Sequence, residues 1–346
     1  MSTRFLSVVL PVYQEHDNIG PCLRGLWKAL HASEHEILVC YDFEEDSTLA
    51  AIRAMPDAPP SVRLVKNHFG RGAANAIRSG FAEAKGDVLV TTMADLSDPP
   101  DKVLELAAHM SRSGAAVVSG SRYMRGGSQS GGPAIKSTLS RLAGLTLHWI
   151  AGVGTHDPTT NFRAYSRSFL ERITVESRHA FDLALEITVK AHLAGELVSE
   201  TPSSWIDRTA GESRFRVWAW VPKYLRWYWM AMRAPALVWS VWLALALCGA
   251  LLFDASPALL ATTAALGAAA ILLCRARRGR NVVSDAVLPL LSSAPLHAWA
   301  AEREALSISV AAAAALGVAW WVFVVPARTR PRPQLDREPE HGPAQP

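Results

Sequence analysis

Residues 86–100, Gly-Asp-Val-Leu-Val-Thr-Thr-Met-Ala-Asp-Leu-Ser-Asp-Pro-Pro, join a short apolar run to a cluster of carboxylates. The run Gly86–Thr91 is β-branched and apolar without helical period, which predicts a buried strand. Asp95 follows at the carboxyl end, where an open α/β sheet binds its ligands. A carboxylate in that place can hold a hard divalent cation, and an Asp ahead of Pro-Pro can also be a turn residue or a helix cap.

Three further apolar runs predict strands of the same sheet. They cover Phe5–Leu10, Glu36–Cys40 and Val62–Val65, and helical patterns separate them. Strands and helices that alternate at this spacing form a mostly parallel, doubly wound α/β sheet of the Rossmann-like kind. Functional groups of such a sheet gather beyond the carboxyl ends of its strands, and polar clusters follow each run there. These clusters are residues 11–15, 41–48 and 70–76.

Six short motifs occur in an order that resembles a known enzyme family. They are Pro11-Val12-Tyr13-Gln14-Glu15, Asp42 in an acidic loop, Asp95 in an Asp-x-Asp region, Gly120-Ser121-Arg122-Tyr123, Asp157-Pro158-Thr159-Thr160-Asn161-Phe162-Arg163, and Asp207-Arg208 with Gly211-Glu212-Ser213-Arg214-Phe215. Together they resemble the family 2 glycosyltransferases with a GT-A fold. Within that family they are similar to the polyprenyl-phosphate, or dolichol-phosphate-mannose-synthase-like, hexosyltransferases, over residues 5–233.

The resemblance implies inverting transfer of one hexose from a UDP- or GDP-linked sugar to a polyprenyl phosphate. The donor-binding residues that it implies are Pro11, Tyr13, Glu15, Asp42, Arg71, Ala94, Asp95, Arg208 and Arg214. Acceptor-phosphate binding falls to Arg122, Lys136 and Ser140, with Lys136 where the family usually has Arg. The implied catalytic residues are Asp95, Arg122, Asp157 and Arg208, although Asp157 before Pro158 also suits a turn. Divalent Mg²⁺ or Mn²⁺ is expected on Asp95, Ser97 and Asp98.

Two departures from the family pattern concern the metal and the donor. Met93 stands where the first Asp of the Asp-x-Asp region is usual, and Phe43 stands where a Gly follows the acidic loop's Asp. Because a thioether cannot replace an oxygen ligand of a hard cation, Asp95 needs donor phosphates, water, and Ser97 or Asp98 to complete the metal shell. The sequence therefore leaves donor identity and metal dependence open.

Two other functions remain open on the sequence. A processive polysaccharide synthase is one, since Lys223-Tyr224-Leu225-Arg226-Trp227 resembles the Gln-x-x-Arg-Trp motif of those enzymes. A catalytically impaired donor-binding scaffold protein is the other, because Met93 removes a carboxylate. The acidic run Glu44–Asp46 is interpreted as solvated loop rather than as ligands.

Composition changes sharply after Arg233 and predicts a membrane part. Runs at 236–253, 257–274 and 305–325 are almost continuously apolar and long enough to span a bilayer, whereas Asp285 and prolines interrupt 282–301. We expect a GT-A catalytic domain over 1–211, interfacial helices over 212–233, two to four transmembrane helices over 234–326 and a disordered tail over 327–346. Arginines after the second and last runs place both flanks in the cytoplasm.

The segment ahead of the first span mixes aromatic and basic side chains, as membrane-boundary helices do. Its members are Trp218, Trp220, Lys223, Tyr224, Arg226, Trp227, Tyr228, Trp229 and Arg233. The net charge of +4 and pI near 9.0, with basic residues beside the spans, favour anionic lipid over nucleic acid. The four cysteines are scattered without disulfide spacing, and the apolar run Phe5–Leu10 is too short for a signal peptide. Both observations predict a cytoplasmic catalytic domain. Homo-oligomerisation stays open.

Overall fold

A central sheet carries the strands that the apolar runs predict. The computed structural model describes residues 5–178, 182–207 and 222–233, all within one compact unit, Met1–Ala236. In these residues the main sheet has the strand order β3-β2-β1-β4-β7-β5-β8, and β6 pairs with β9 beside it. The strands are β1 Leu6–Pro11, β2 His35–Tyr41, β3 Val62–Lys66, β4 Val88–Thr91, β5 Val117–Ser121, β6 Ser128–Ser130, β7 Arg163–Ser166, β8 Val198–Pro202 and β9 Ser204–Ile206.

Parallel pairing brings the carboxyl ends of β1, β2 and β4 to one edge. Val9 of β1 lies opposite Leu38 of β2 on one side and Thr91 of β4 on the other. β5 and β8 are also parallel to each other, and β7 runs antiparallel between β4 and β5. The prediction of a mostly parallel sheet is therefore confirmed, and the residues after β1, β2, β4 and β5 face the same region.

Helices cover both faces of the sheet. Since successive side chains of a strand point to opposite faces, Val8 packs in a core with α1 and α4, while Val9 packs in a second core with α3 and α7. The helices are α1 Ile19–Leu30, α2 Ser47–Arg53, α3 Ala73–Glu83, α4 Lys102–Ser113, α5 Ala134–Thr146 with a π-helical turn Leu147–Ala151, α6 Arg167–Leu170, α7 Leu183–Leu193 and α8 over 222–233. This is the doubly wound, GT-A-like arrangement.

The helix α8 packs on the catalytic unit through one face. Trp227 is 1% exposed and lies in the second core, with Lys190 5.1 Å above its ring, so its predicted place at a membrane boundary is wrong. Leu225 and Trp229 lie on the other face and are 54% and 63% exposed. The helix is thus half core and half surface, and the boundary prediction remains open for its exposed face.

No helix within 5–178, 182–207 or 222–233 is both long and apolar enough to cross a bilayer. The runs predicted as spans, the interrupted stretch 282–301 and the tail all fall outside the described residues. Cys22 and Cys40 are buried free thiols.

Candidate active site

The turn after β4 fixes the carboxylate predicted to be the centre of the site. Oδ1 of Asp95 accepts hydrogen bonds from the backbone N–H of Ser97, at 3.2 Å, and from its hydroxyl, at 2.6 Å. The intervening Leu96 has a φ of 61°, a left-handed conformation that non-glycine residues rarely adopt. Such strain persists where surrounding contacts hold it, and it is common at ligand-binding turns. Asp95 is thus held in one orientation at the carboxyl edge.

A second carboxylate lies within the same turn. Asp98 is buried, and its Oδ2 accepts from the hydroxyl of Thr92 and the backbone N–H of Met93, each at 3.4 Å. Burial raises the pKa of Asp98 to about 7, and the charge of Asp95 adds to the rise. The two carboxylates are therefore close enough to repel each other. Met93, which lacks the usual carboxylate, still contributes through its backbone by holding Asp98.

The donor set of this turn suits a hard cation in part. Asp95 and Asp98 supply carboxylate oxygens, and a divalent cation between them would relieve their repulsion. In the described part of the chain, no group of three or more His, Cys, Asp or Glu side chains could hold a metal ion. Mg²⁺ sites of one or two carboxylates draw their remaining ligands from substrate phosphates and water. The residues present fit that kind of site.

Asp42 follows β2, on the side of β1 away from β4, and its hydrogen bonds hold two loops together. Its Oδ1 accepts from Nδ2 of Asn67 at 2.7 Å, and its Oδ2 accepts from the backbone N–H of Gly72 at 2.9 Å. Gly72 has a φ of 119°, which favours glycine, and caps the start of α3. Asp42 therefore shapes the loop that carries Arg71, and its carboxylate is already engaged in that task.

An aromatic and cationic cluster lies beside this loop. The rings of Tyr13 and Phe43 meet edge to face with centroids 5.8 Å apart, and Cζ of Arg71 lies 5.5 Å from the Phe43 centroid. Tyr13 is 41% exposed, so part of its side chain faces solvent. Pro11 and Ala94 are buried beneath the surface. The predicted donor residues at β1, β2 and β3 thus surround one surface.

Asp46 contradicts the interpretation of residues 44–46 as a solvated loop. It is 2% exposed, caps α2 by accepting from the N–H of Thr48, and accepts from the N–H of Gln14, whose φ is 56°. The predicted donor residue Glu15 lies just ahead of α1, and its carboxylate accepts a hydrogen bond from Nδ2 of Asn18 at 2.8 Å. An Asp ahead of Ser-Thr and an apolar helix is an N-cap signal that predicts this role for Asp46.

A buried ion pair forms the acceptor side predicted from Arg122 and Asp157. Nε and Nη2 of Arg122 donate to the two oxygens of Asp157 at 2.6 and 2.9 Å, a bidentate contact. Burial would raise the pKa of Asp157, but the charge and hydrogen bonds of Arg122 hold it below its ordinary value. Likewise burial would lower the pKa of Arg122, and Asp157 raises it. Asp157 is completely buried, and its bonds to Arg122 hold that guanidinium in place, while its predicted catalytic role stays a prediction.

Ser140 and Thr159 complete this cluster. Nη2 of Arg122 donates to Oγ1 of Thr159 at 3.1 Å and lies 3.4 Å from Oγ of Ser140, and the two hydroxyls bond each other. Lys136 lies one turn before Ser140 on α5 and is half-buried, so both residues share a helix face. The structure thus brings the three predicted acceptor residues to one place. Thr159 was not predicted to bind there, although it belongs to the same motif as Asp157.

Charges connect the two halves of the site and the last helix. The positive charge of Arg122 opposes the rise in the pKa of Asp98, so the acidic turn and the acceptor cluster lie within electrostatic reach. Burial raises the pKa of Tyr224 in α8, the negative charges of Asp182 and Asp157 add to the rise, and the positive charge of Arg122 opposes it. Tyr224 therefore also approaches this cluster. Arg208 and Arg214 lie outside the described residues, and the structure leaves their predicted roles as predictions.

Comparison with known proteins agrees with this architecture. A family model described as Glycosyl transferase family 2 matches residues 7–174. Polyprenol monophosphomannose synthase of Mycolicibacterium smegmatis is 32% identical over 216 residues, which are 60% of this chain and 79% of that protein. The chain belongs to glycosyl transferase family 2. The predicted family resemblance is therefore confirmed, and the relatives' names support a hexosyltransferase enzyme.

Two other similar proteins complete the comparison. A dolichol-phosphate mannosyltransferase of Pyrococcus furiosus is 27% identical over 215 residues, 61% of this chain and 59% of that one. This family 2 chain therefore spans about three fifths of the length of that relative. A crystal structure of glucosyl-3-phosphoglycerate synthase from Mycobacterium tuberculosis, in complex with Mn²⁺, uridine diphosphate and glucosyl-3-phosphoglycerate, is 17% identical. It has a TM-score of 0.48 and covers 68% of this chain and 79% of that chain.

Proposed function

We propose that this family 2 protein transfers one hexose, with inversion, from a nucleotide diphosphate sugar to a polyprenyl phosphate at a membrane surface. One observation carries the proposal. The acidic turn, which suits a donor diphosphate and its cation, lies within electrostatic reach of Arg122. The guanidinium of Arg122 in turn contacts the hydroxyl of Ser140. The similar proteins whose names specify dolichol-phosphate and polyprenol substrates support a lipid phosphate as the acceptor.

The donor side would stabilise the leaving group. Asp95 and Asp98 would hold Mg²⁺ or Mn²⁺, which supplies positive charge to the departing diphosphate when bound. Ser97 keeps Asp95 in orientation through two hydrogen bonds. Arg208 and Arg214 are proposed to add positive charge at the same diphosphate. Tyr13, Phe43 and Arg71 would contact the base and ribose, with Asp42 and Glu15 shaping the loops around them.

The acceptor side would place the nucleophile. A phosphate oxygen of the lipid attacks the anomeric carbon, the bond from that carbon to the diphosphate oxygen breaks, and its electron pair leaves with the nucleoside diphosphate. A lipid phosphate is already anionic, so the reaction needs no strong general base. Arg122 shares its charge with Asp157, and Lys136 brings a further positive charge to the helix face of Ser140. We assign Lys136 a share of the phosphate attraction together with Arg122.

The decisive experiment offers UDP- and GDP-linked sugars with undecaprenyl phosphate to the full chain in membranes, with Mg²⁺, Mn²⁺ or EDTA. Formation of a monoglycosylated lipid with one donor class supports the proposal. Long products would instead indicate a processive polysaccharide synthase, and nucleotide binding without transfer would indicate a donor-binding scaffold. Retention of the chain in membranes, with its amino-terminal part open to protease from the cytoplasmic side, would test the proposed two to four spans.

Lys136→Ala should raise the apparent KM for the polyprenyl phosphate by about 10- to 150-fold while the donor KM stays nearly constant, because a charge-assisted contact is lost. Steady-state kinetics with each substrate varied in turn would measure this. Lys85→Ala is the matched control, since Lys85 is exposed at the amino edge of β4. Equal weakening of donor binding would move Lys136 to the diphosphate.

Phe43→Gly should weaken binding of the preferred nucleotide by about 5- to 150-fold, because stacking of an aromatic ring on a base contributes 1–3 kcal/mol. Calorimetry with the nucleoside diphosphate would measure it. Phe69→Ala is the control, since Phe69 is an exposed aromatic residue of the neighbouring β3–α3 loop. An unchanged dissociation constant would remove Phe43 from the base-binding surface.

A further inference from the structure

The outward face of α5 and its π-helical turn carries large apolar side chains that the protein leaves uncovered. They are between 46% and 70% exposed. Their spacing of four, three and seven residues puts them on one side of the helix. We call them the apolar stripe; its members are Ile135, Leu139, Leu142 and Trp149. The adjoining face of the same helix holds the half-buried Lys136 and Ser140, so one helix carries both the acceptor residues and an apolar surface.

The stripe continues onto α8. Thr146 lies on the stripe side of α5, between Leu142 and Trp149, and its Oγ1 accepts a hydrogen bond from the hydroxyl of Tyr228 at 2.9 Å. Leu225 and Trp229, the exposed apolar residues of α8, lie one turn apart beside Tyr228. Two helices thus share an exposed apolar surface joined by a polar contact.

We propose that the apolar stripe rests on a lipid bilayer, with α5 in the plane of the headgroup boundary. The sequence that follows α8 favours a bilayer as the partner of this surface. The described part of α8 reaches residue 233, and the apolar run 236–253 of the sequence, long enough to span a bilayer, begins three residues later. Exposed Arg141 in α5 and exposed Arg233 in α8 suit anionic headgroups. Trp and Leu on one face with basic residues beside them are typical of interfacial helices.

The purpose of this membrane contact rests on the proposed function. A polyprenyl phosphate keeps its chain in the bilayer and its phosphate at the surface. With the stripe on the bilayer, Lys136 and Ser140, each about 100° around the helix from the stripe residue before it, lie within one helix diameter, roughly 10 Å, of the apolar boundary. That height is within reach of a lipid phosphate without withdrawal of its chain from the membrane.

The test places an environment-sensitive fluorophore on the full chain in vesicles of phosphatidylcholine and phosphatidylglycerol. Leu142→Cys carries the label on the stripe, and Leu197→Cys carries it at the amino edge of β8, where the leucine has similar exposure. Cys248 and Cys274 are replaced by Ser, and the buried Cys22 and Cys40 remain. Brominated lipids should quench the label at 142 several-fold more than the label at 197, and aqueous iodide should do the reverse.

Two outcomes would overturn the proposal. Equal iodide access at both positions would leave the stripe in water. Protection at 142 from both iodide and brominated lipid would show that another part of the chain, or a second copy, covers the stripe. Because the readout needs no turnover, absence of hexosyl transfer with normal lipid quenching would count against the proposed function and leave the membrane contact standing.

Discussion

Asp95→Asn is expected to lower turnover by about 10²- to 10³-fold, the loss that follows removal of one preorganised stabiliser of developing charge. Asn keeps the shape of the side chain, and its amide oxygen still accepts from Ser97. What disappears is the negative charge that would hold a cation against the diphosphate. Hexosyl transfer at saturating donor and acceptor, with added Mg²⁺ or Mn²⁺, measures the effect.

The control for this prediction lies six residues away. Asp101 is exposed at the start of α4 and makes no capping hydrogen bond there, so Asp101→Asn should retain full activity. A second readout is Mn²⁺ binding in the presence of the nucleoside diphosphate, which should weaken in Asp95→Asn and not in Asp101→Asn. Turnover near that of the unmodified chain in Asp95→Asn would remove this residue from the reaction centre.

The central strands were predictable because each carries a strong local pattern. Residues 6–11, 35–41 and 88–91 are runs without helical period, and their parallel pairing follows from the helices between them. The strand β7 was not predictable in this way. Its four residues, Arg163–Ser166, include a buried Arg, and the strand forms because β4 and β5 leave a gap that its backbone fills by antiparallel pairing.

The site shows a similar division between local and tertiary information. Asp95 and Asp98 share one turn, and the chain order of motifs is enough to place them at the carboxyl edge. The partnership of Arg122 with Asp157 joins residues 35 positions apart, and only the fold reveals that the carboxylate is buried and paired. The boundary prediction for Trp227 failed for the same reason. An aromatic residue with basic neighbours in the sequence can lie at a membrane boundary or in a core, and only the fold places Lys190 over the Trp227 ring.

Asp157→Ala should destabilise the catalytic unit by about 3–5 kcal/mol, because it leaves the Arg122 guanidinium buried without its carboxylate. For a unit of this size the loss corresponds to a melting temperature lower by about 6–20 °C. Thermal unfolding of the full chain in detergent, followed by near-ultraviolet circular dichroism, measures it. A loss of transfer without any change in melting would instead mean that Asp157 contacts the substrate.

A double substitution separates pairing from burial. Arg122→Met with Asp157→Leu removes both charges, so melting should recover most of the loss while transfer stays abolished. Acid supplies the complementary test. Because Arg122 holds the pKa of Asp157 below its ordinary value, the stability from this pair is complete above that value and is lost as pH falls through the lowered pKa. The melting temperature of the unmodified chain should therefore fall more steeply in acid than that of the double variant, and parallel curves would show that the pair contributes no net stability.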